Sequence, residues 1–587
     1  MIPKLPSFLT LRVFSILIME TAERFSYYGF RAVLVLYFNK YLGFSESTSI
    51  SLFAYTTSLA YFSPIFGAII SDSYLGRYNT ILWFGIVYWL GLILLTLGAF
   101  LPTIESAPEE NEQLNPNTIP LTFLGLFFIC VGTGGIKPCV SAFGADQVLT
   151  ANEDTTANLE EEANLELSSA ENSTDEEKVQ EFYAWFYFCI NLGSVGSYVL
   201  VPTIRSTYGY GYAFLLSTIF LSVAMLSFIS RRSEYIIHLP AQKKSPIVND
   251  EVLYEADVEE TVESPTLYST FQIIFYFLQC RMKNSCGCFV QKIKRKNSDE
   301  DVFREDNFSG EEPNDTLNPQ SSSLIHAPPI NAHTHQTQID EVDPDTYLQS
   351  NFSPQQVKDA QSALKVMPVL SMLPAFWMLY DQSSSVWTLQ ASHMELHGLQ
   401  PEQLGAINPI LIMILIPLFD GIIYPAFKRW NWNTSHLRRM AIGMFIASAS
   451  FVVSGFVETA IENHDEKTIN VAWQLPQILI LSISEIFVSV TGLEFSYSYS
   501  PDSMKAMIMA LYLLTTAIGD FFGGLLYTIW GGLDRALIMY ICAGIMLINL
   551  FFFRYVEKWW DSSCYSRVPE VSTADLDNNI NRSHDGQ

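Results

Sequence analysis

Charged residues are scarce in this chain of 587 residues: Asp, Glu, Lys and Arg make up 16% of it, against 49% hydrophobic residues. Soluble globular domains carry about a quarter charged residues, so the composition argues against an ordinary soluble protein. Cysteine is also rare, and 8 residues are too few for a disulfide scaffold of this length. Cys130, Cys139, Cys189 and Cys542 lie in apolar runs, where a thiol packs as a small hydrophobic group.

Positive charge is in short supply as well, with 33 Lys and Arg against 60 Asp and Glu. A nucleic-acid binder needs a basic surface that neutralises several phosphates, and the chain has only one short basic cluster, at 281–296. The patches 146–178, 250–263, 299–315 and 340–345 contain half of the acids, and the rest of the chain is close to neutral. The acidity therefore belongs to solvated loops.

Motifs of enzymatic chemistry are lacking too. The chain has no phosphate-binding glycine loop with a lysine, no paired metal-ligand spacing and no nucleophile elbow, so we expect no catalytic residue, no metal site and no bound cofactor. The pair His333 and His335 lies in a polar stretch that offers too few ligands for a metal. The run 132–135 (GTGG) lies inside an apolar segment and favours close helix packing.

What the chain does have is a series of apolar stretches long enough to cross a hydrocarbon core of about 30 Å. None alternates as a membrane strand does, so they predict an all-α integral membrane protein with 12 transmembrane helices in two six-helix bundles. The predicted spans are 13–38, 48–72, 79–101, 118–142, 181–204, 211–230, 364–392, 404–427, 436–460, 472–498, 504–531 and 533–556.

Basic residues predict the orientation. With both termini in the cytoplasm, most Lys and Arg of the short loops lie inside, and the outer loops keep only Lys40, Arg205, Lys467 and Arg535. A thirteenth span in the short apolar segment near 267–280 would invert this pattern, so we interpret that segment as an interfacial helix or an ordinary basic loop. The sequence leaves open whether the protein resides in the plasma membrane or the endolysosomal membrane.

The polar region in the middle of the chain divides it into parts. We predict an N-terminal bundle over 1–234, a largely disordered cytoplasmic linker over 235–360, a C-terminal bundle over 361–558 and a cytoplasmic tail over 559–587. The segment 64–70 (PIFGAII) in the second span is echoed by 417–423 (PLFDGII) in the eighth. Parallel repeats of six helices place a substrate site between the halves and permit alternating access, which makes transport the leading hypothesis.

Charges inside the predicted spans need a reason, because each costs at least about 2.5 kcal/mol on insertion. In the first span, Glu20, Glu23, Arg24 and Arg31 share one helical face, which we therefore expect to line the interior. Glu20 and Arg24 can pair at i, i+4. Further interior charges are predicted at Lys137, Asp381, Glu485, Glu494 and Asp520. Pairs between the halves could form gates that protonation weakens, or could simply hold the helices together.

Six segments together resemble the proton-coupled oligopeptide transporters, a branch of the major facilitator superfamily, with the animal peptide carriers most similar. The segment 20–29 (ETAERFSYYG) resembles the family motif ExxERFxYYG. The other five are 67–77 (GAIISDSYLGR), 132–141 (GTGGIKPCVS), 186–194 (FYFCINLGS), 376–390 (FWMLYDQSSSVWTLQ) and 491–498 (TGLEFSYS). The resemblance covers every region except the loops.

The resemblance implies a function and a set of roles. It implies a symporter of di- and tripeptides with protons, working by alternating access as a monomer, with the proton as coupling ion and no other cofactor. Proton coupling falls to Glu20, Glu23 and Arg24, and gating to the pairs Arg31 with Asp381 and Lys137 with Glu485. The residues implied in substrate binding are Tyr28, Arg31, Tyr61, Lys137, Tyr187, Asn191, Trp377, Asn408, Glu485 and Ser489.

The chain also departs from the family pattern. Ala54 stands where the mammalian intestinal carrier has a histidine, Tyr512 where relatives have a tryptophan, and Asp520 where they have asparagine. The loop at 461–471 is too short for the large extracellular domain of that carrier. Two alternatives stay open: a carrier of another small solute such as nitrate, and a membrane peptide sensor or scaffold with residual transport.

Overall fold

The computed structural model describes residues 9–101, 115–149, 167–237, 354–430, 435–501 and 504–563. Within these residues the regular structure is helical, apart from a single isolated bridge between Glu395 and Asn470. The prediction of an all-α chain is therefore confirmed. The acidic patches at 250–263, 299–315 and 340–345, most of the predicted linker, the predicted interfacial helix near 267–280 and the tail beyond 563 lie outside the described residues.

The first half consists of six helices. In chain order their bounds are α1 Leu11–Leu36, continued by a π turn Tyr37–Tyr41; α2 Glu46–Phe62 with Pro64–Ile70 and a π turn Ser71–Leu75; α3 Gly76–Phe100; α4 Thr118–Leu149; α5 Leu167–Tyr208; and α6 Tyr210–Ser230. Ser45 caps α2 by accepting a hydrogen bond from the Thr48 amide, and Gly209, at φ 92°, permits the tight turn between α5 and α6.

The second half repeats this arrangement with more interruptions. Its helices are α7 Pro354–Leu370, Pro374–Tyr380 and Gln382–Ser392; α8 Pro401–Ala406 (3-10), Ile407–Leu418, a π turn Phe419–Ile423 and Tyr424–Arg429; α9 His436–Glu462; α10 Leu475–Glu485, a π turn Ile486–Val490 and Thr491–Ser498; α11 Lys505–Trp530; and α12 Arg535–Ser563. Both α2 and α8 carry a π turn close to the repeated apolar motif.

By contacts the chain forms two compact units. One comprises 1–267 together with 362–587 and contains α1–α6, α8–α12 and α7 from residue 362 onward. The other comprises 268–361, of which the structure describes 354–361, the opening turns of α7.

Nine helices among the described residues are long and apolar enough to cross a membrane by themselves, and ten if the bent pair in α7 counts as one. The difference from twelve has two sources. The continuous helical stretch Glu46–Phe100 contains both α2 and α3 and is counted once. Helix α1 is not counted because its charged residues Glu20, Glu23, Arg24 and Arg31 make it less apolar than the other helices. Twelve crossing helices are therefore consistent with the structure.

Several helices extend beyond the predicted spans. Helix α4 continues to Leu149 instead of ending near 142, α5 begins at Leu167 instead of 181, and α12 runs to Ser563 instead of 556. Apolar runs mark only the part of a helix that meets hydrocarbon. The extra turns of α5 and α12 include Glu and Lys, which favour helix in water as well.

Glycines set the distance between α2, α3 and α4. A Cβ atom on Gly67 would lie 2.2 Å from the Gly134 carbonyl oxygen, and one on Gly132 would lie 2.5 Å from the Tyr88 backbone nitrogen. Since real side chains cannot approach so closely, only glycine fits there. The run 132–135 therefore serves close helix packing, as its position in an apolar segment predicts.

Replacing Gly134 by alanine is expected to destabilise the first half. The new Cβ would meet the Ser63 backbone carbonyl carbon at 2.7 Å, so α2 and α4 must move apart. Overpacking of this kind costs about 1–3 kcal/mol. We expect a melting temperature several degrees below wild type in detergent, measured by scanning fluorimetry. Gly544→Ala is the matched control, because no atom lies within 4 Å of its added Cβ. Equal melting temperatures for the two variants would contradict the packing argument.

Candidate functional site

A cavity of about 260 Å³ lies between the two halves. Helices α1, α2 and α5 form one wall, and α7, α8, α10 and α11 form the other. Eight of the ten residues predicted to bind substrate line it: Tyr28, Arg31, Tyr61, Tyr187, Asn191, Trp377, Asn408 and Glu485. The structure thus brings together side chains that lie more than 450 positions apart in the sequence.

The cavity has opposite charges on its two walls. On the first wall, Arg31 donates hydrogen bonds to Asp381 and, at 3.2 Å, to Ser384. On the second wall, Glu485 accepts a hydrogen bond of 2.9 Å from the Asn408 amide. A molecule spanning the cavity therefore meets a cation from one half and a carboxylate from the other.

The Asn408 side chain is held in place by its neighbours. Its amide nitrogen also donates to the Ser482 hydroxyl at 3.1 Å, and its oxygen accepts a hydrogen bond of 3.3 Å from the Tyr380 hydroxyl. Asn408 and Glu485 thus form one polar cluster whose orientation is fixed before any ligand binds.

Between the charged walls the lining is aromatic. The rings on the first half belong to Tyr28, Tyr61, Tyr187 and Tyr198, and those on the second to Trp377, Tyr380 and Trp387. Tyr28 and Tyr198 lie 6.0 Å apart between ring centroids, and Trp377 meets Tyr380 edge to face at 5.6 Å. Such walls provide apolar contact together with hydroxyl and indole groups, which suits side chains of varied shape.

Two residues predicted to bind substrate do not line the cavity. Lys137 lies behind the wall, with its Nζ 3.9 Å from the ring centroid of Tyr61 and 4.2 Å from that of Tyr27. Ser489 lies behind the opposite wall, where its carbonyl oxygen accepts a hydrogen bond of 2.8 Å from Tyr512. Position along the sequence could not distinguish these residues from the lining, because the depth of a side chain depends on helix crossing.

Lys137 is a basic residue without a hydrogen-bond partner. Its Nζ is buried, and within the part of the chain that the structure describes it has none. The predicted pair with Glu485 is thus not formed in this conformation, whereas the pair Arg31 with Asp381 is formed.

The charged face of α1 is buried as predicted. Glu20 is 3% exposed, Glu23 0% and Arg24 8%. Arg24 pairs with Glu20 at 3.0 Å, the expected i, i+4 contact, and with Glu23 at 2.5 Å. The opposite face of α1 is covered too, since Leu17, Phe30 and Val33 are also buried. This cluster lies beside the cavity instead of lining it.

One predicted interior charge is wrong. Glu494 has a side chain that is 50% exposed and pairs with His436 at 3.2 Å and Arg439 at 3.6 Å. It lies in the last segment of α10, Thr491–Ser498. The predicted span 472–498 included this segment, although the side chain of Glu494 is half exposed. Glu485, nine positions earlier, lines the cavity.

Several lining residues were not predicted. Ser194 and Tyr198 follow Tyr187 and Asn191 along one face of α5, at helical spacing, so periodicity could have identified them. Tyr380 lies within a recognised motif. Gln474 and Thr516 gave no signal in the sequence, because only the packing of α10 and α11 brings them to the cavity.

One end of the molecule, which we call the distal face, is closed by contacts between the halves. It contains the turns after α1, α5, α7, α9 and α11. Glu46 at the start of α2 pairs with His393 at 2.8 Å and with Arg535 at 3.0 Å. Arg205 of α5 donates hydrogen bonds of 2.9 Å to both Gln400 and Glu402.

Deeper in the molecule, α2 and α11 are joined directly. Ser51 donates to the Gly524 carbonyl at 3.0 Å, and Ser58 to the Ala517 carbonyl at 2.7 Å. Toward the opposite end, Tyr187 lines the cavity yet is 44% exposed. The cavity is therefore closed toward the distal face and accessible from the other side.

A cavity between two six-helix halves, closed at one end and open at the other, is the arrangement found in secondary transporters of the major facilitator fold. Comparison with known proteins names the branch. The sequence model described as the POT family matches residues 78–536. The chain belongs to the POT family, a family of transporters and not of enzymes.

Curated relatives include both plant and animal proteins. Protein NRT1/PTR FAMILY 8.5 of Arabidopsis thaliana is 29% identical over 528 residues, which cover 87% of this chain and 80% of the relative. Solute carrier family 15 member 2 of Homo sapiens is 31% identical over 489 residues, which cover 82% of this chain and 53% of the relative. The chain thus spans about half the length of that animal relative.

Solved structures show the same fold. The crystal structure of an auto-inhibited POT family peptide transporter has a TM-score of 0.65 at 22% identity and covers 93% of this chain and 96% of its own. The POT family transporter PepTSo has a TM-score of 0.65 at 23% identity, covering 96% and 99%. These neighbours confirm the predicted major facilitator architecture.

Proposed function

We propose that this protein is a proton-coupled symporter of di- and tripeptides that works by alternating access. The observation that supports it most is the bipolar cavity, with Arg31 on one wall and Glu485 with Asn408 on the other. A small peptide is a zwitterion, so its carboxylate matches the cation and its amino group matches the carboxylate and amide. The aromatic lining accommodates different side chains.

The roles follow from position. Arg31, Tyr28, Tyr61, Tyr187 and Asn191 receive the carboxylate and backbone, with Lys137 adding positive charge from behind Tyr61. Asn408 and Glu485 hold the amino group. Trp377 lines a side-chain pocket, and Ser489 supports that wall through Tyr512.

Proton coupling is assigned to the cluster Glu20, Glu23 and Arg24. The two acids share one arginine in a buried site, so protonating either one weakens its pair and frees Arg24 for the other. The ion pair between Arg31 and Asp381 helps to close the distal side of the cavity. Lys137 with Glu485 would close the opposite side in the alternate conformation, which agrees with their separation here.

The comparisons support this proposal at the family level. Structures of family members are described in complex with alafosfalin and with 5-aminolevulinic acid. By the positive-inside rule the distal face is extracellular or lumenal, so the cavity described here opens to the cytoplasm. We propose that the protein functions as a monomer in the plasma membrane or the endolysosomal membrane.

Two alternatives predict different behaviour. The plant relative named NRT1/PTR is consistent with the alternative that this protein carries nitrate. An anion, however, would gain nothing from the carboxylate of Glu485 on the cavity wall. A sensor or scaffold would depend on the acidic central region. Deleting residues 285–345 distinguishes this alternative from the transporter. Unchanged peptide uptake with lost signalling or localisation would favour the sensor or scaffold.

Uptake of a labelled dipeptide into proteoliposomes tests the proposal. Accumulation above the external concentration under an inward proton gradient, and only equilibration without it, is the expected result. Labelled nitrate serves as the comparison solute. Folded protein that moves no peptide under any gradient would contradict the proposal, and nitrate flux in the same vesicles would select the alternative.

Asp381→Asn is expected to weaken closure of the distal side. The variant keeps the shape of the side chain but removes its charge, so Arg31 loses its ion pair. We expect the population to shift toward the outward-open form, seen as faster labelling of a cysteine placed at Ser51 from the distal side. Ser384→Ala is the control, because it removes only a 3.2 Å hydrogen bond to the same arginine. Equal labelling in the two variants would count against a gating role.

A further inference from the structure

Asp520 on α11 is a buried acid that the proposed cycle does not use. It is 1% exposed, and neither carboxylate oxygen has a hydrogen-bond partner among the described residues. An ionised carboxylate in that position would lose its hydration without compensation, which is strongly unfavourable. A structural role as an ion-pair or hydrogen-bond partner therefore does not account for it.

The packing of α11 fixes where Asp520 lies. Thr516, one turn earlier on the same helical face, lines the cavity. Gly519 packs against Pro374 and Trp377 of α7, and Gly524 against Tyr55 of α2. Asp520 is thus held one turn beyond the cavity toward the distal face, on a helix that packs between α2 and the middle segment of α7, Pro374–Tyr380.

Two basic side chains and one tyrosine from neighbouring helices interact electrostatically with Asp520. The basic side chains Arg31 of α1 and Lys137 of α4 favour its ionised form, and Tyr61 of α2 also interacts with it. Arg31 is already bound to Asp381 of α7. Lys137 Nζ faces the rings of Tyr27 and Tyr61 instead. Neither cation is bound to Asp520 in this conformation.

Charge balance in the interior points the same way. In and behind the cavity walls, three cations face five acids in the described part of the chain. The cations are Arg24, Arg31 and Lys137, and the acids are Glu20, Glu23, Asp381, Glu485 and Asp520. With all five acids and all three bases ionised, two negative charges would remain uncompensated in a low-dielectric site. Two protons neutralise this surplus.

We propose that Asp520 is an additional proton-binding residue, protonated when the distal side is closed, and that it adds one proton to each transport cycle. The inference rests on the proposed proton-coupled peptide transport. With asparagine at this position the interior would hold four acids and three cations, a surplus of one. The wild type should therefore move two protons per zwitterionic dipeptide, and Asp520→Asn should move one.

The balance of voltage against a peptide gradient measures this number. In proteoliposomes, the potential that stops net flux against a fixed peptide gradient varies inversely with the protons carried per peptide. We expect that potential to double in Asp520→Asn and in a second neutral variant, Asp520→Ser. Asp520→Glu keeps a carboxylate and should match wild type. An unchanged potential in both neutral variants would overturn the proposal.

A second readout does not depend on transport. Infrared spectra of the purified protein at neutral pH should show the carbonyl stretch of a buried protonated carboxylic acid, reduced in Asp520→Asn and retained in Asp520→Glu. An identical band in wild type and Asp520→Asn would refute protonation at this site. Absence of peptide flux in wild type would contradict the proposed function alone, and the infrared comparison would still decide on Asp520.

Discussion

Glu23→Gln is expected to remove one coupled proton from each cycle and so to lower gradient-driven accumulation of peptide, while peptide exchange continues. Glu23 is fully buried and its Oε2 lies 2.5 Å from the Arg24 side chain, so a neutral amide removes a titratable partner without leaving a gap. The amide mimics the protonated acid. The carrier can then change conformation with peptide bound, but it no longer binds and releases a proton at that position.

The expected loss can be put in numbers. An inward gradient of about one pH unit supplies about 1.4 kcal/mol per proton, enough for an accumulation of about tenfold per proton carried. We therefore expect Glu23→Gln to accumulate about tenfold less peptide than wild type at the same protein density. Counterflow, in which internal unlabelled peptide drives entry of labelled peptide without a proton gradient, should remain near the wild-type rate.

Glu494→Gln is the matched control for this experiment. Its side chain is half exposed and pairs with His436 away from the cavity, so accumulation should be unaffected. Accumulation in Glu23→Gln equal to that of the control would contradict a coupling role for this carboxylate. Loss of counterflow together with accumulation, in folded protein, would instead indicate that Glu23 supports the structure of the site.

Glu485→Gln should weaken peptide binding through the amino group. Hydrogen bonds to charged groups contribute about 1.5–3 kcal/mol, so the concentration for half-maximal counterflow should rise about 10- to 150-fold. The amide also disturbs Asn408, whose nitrogen lies 2.9 Å from the Glu485 carboxylate. We therefore expect the upper part of that range.

A modified substrate separates recognition from structure. A dipeptide acetylated at its amino group has no positive charge there, so the wild type should bind it poorly and Glu485→Gln should bind it about as well as wild type does. A ratio of affinities between free and acetylated dipeptide that stays the same in wild type and variant would show that Glu485 does not contact the amino group. Glu494→Gln again serves as the control.

Local sequence patterns predicted much of the architecture. Runs of about 20 apolar residues marked the crossing helices because a bilayer excludes unpaired backbone groups, and this condition acts on each segment separately. The buried face of α1 was predictable for the same reason, since Glu20, Glu23 and Arg24 cannot face lipid. Glycine at 132–135 predicted close packing through the size of its side chain alone.

Helix ends and depth in the membrane were predicted less well. Hydropathy did not show that α5 begins at Leu167, because the extra turns are polar, and it placed Glu494 inside although its side chain is half exposed. A run of apolar residues indicates which part of a helix can lie in the hydrocarbon core of the bilayer. It does not report where the helix stops.

The sequence by itself thus determined the number of crossing helices, the faces that must avoid lipid and the family motifs, since each depends on residues close together in the chain. The tertiary structure decided which side chains meet. It put Tyr198 on the cavity wall, left Lys137 behind Tyr61, formed the pair of Arg31 with Asp381, and buried Asp520 without a partner. These outcomes depend on how α1, α2, α7 and α11 cross between the halves, and that packing is set by all the contacts together.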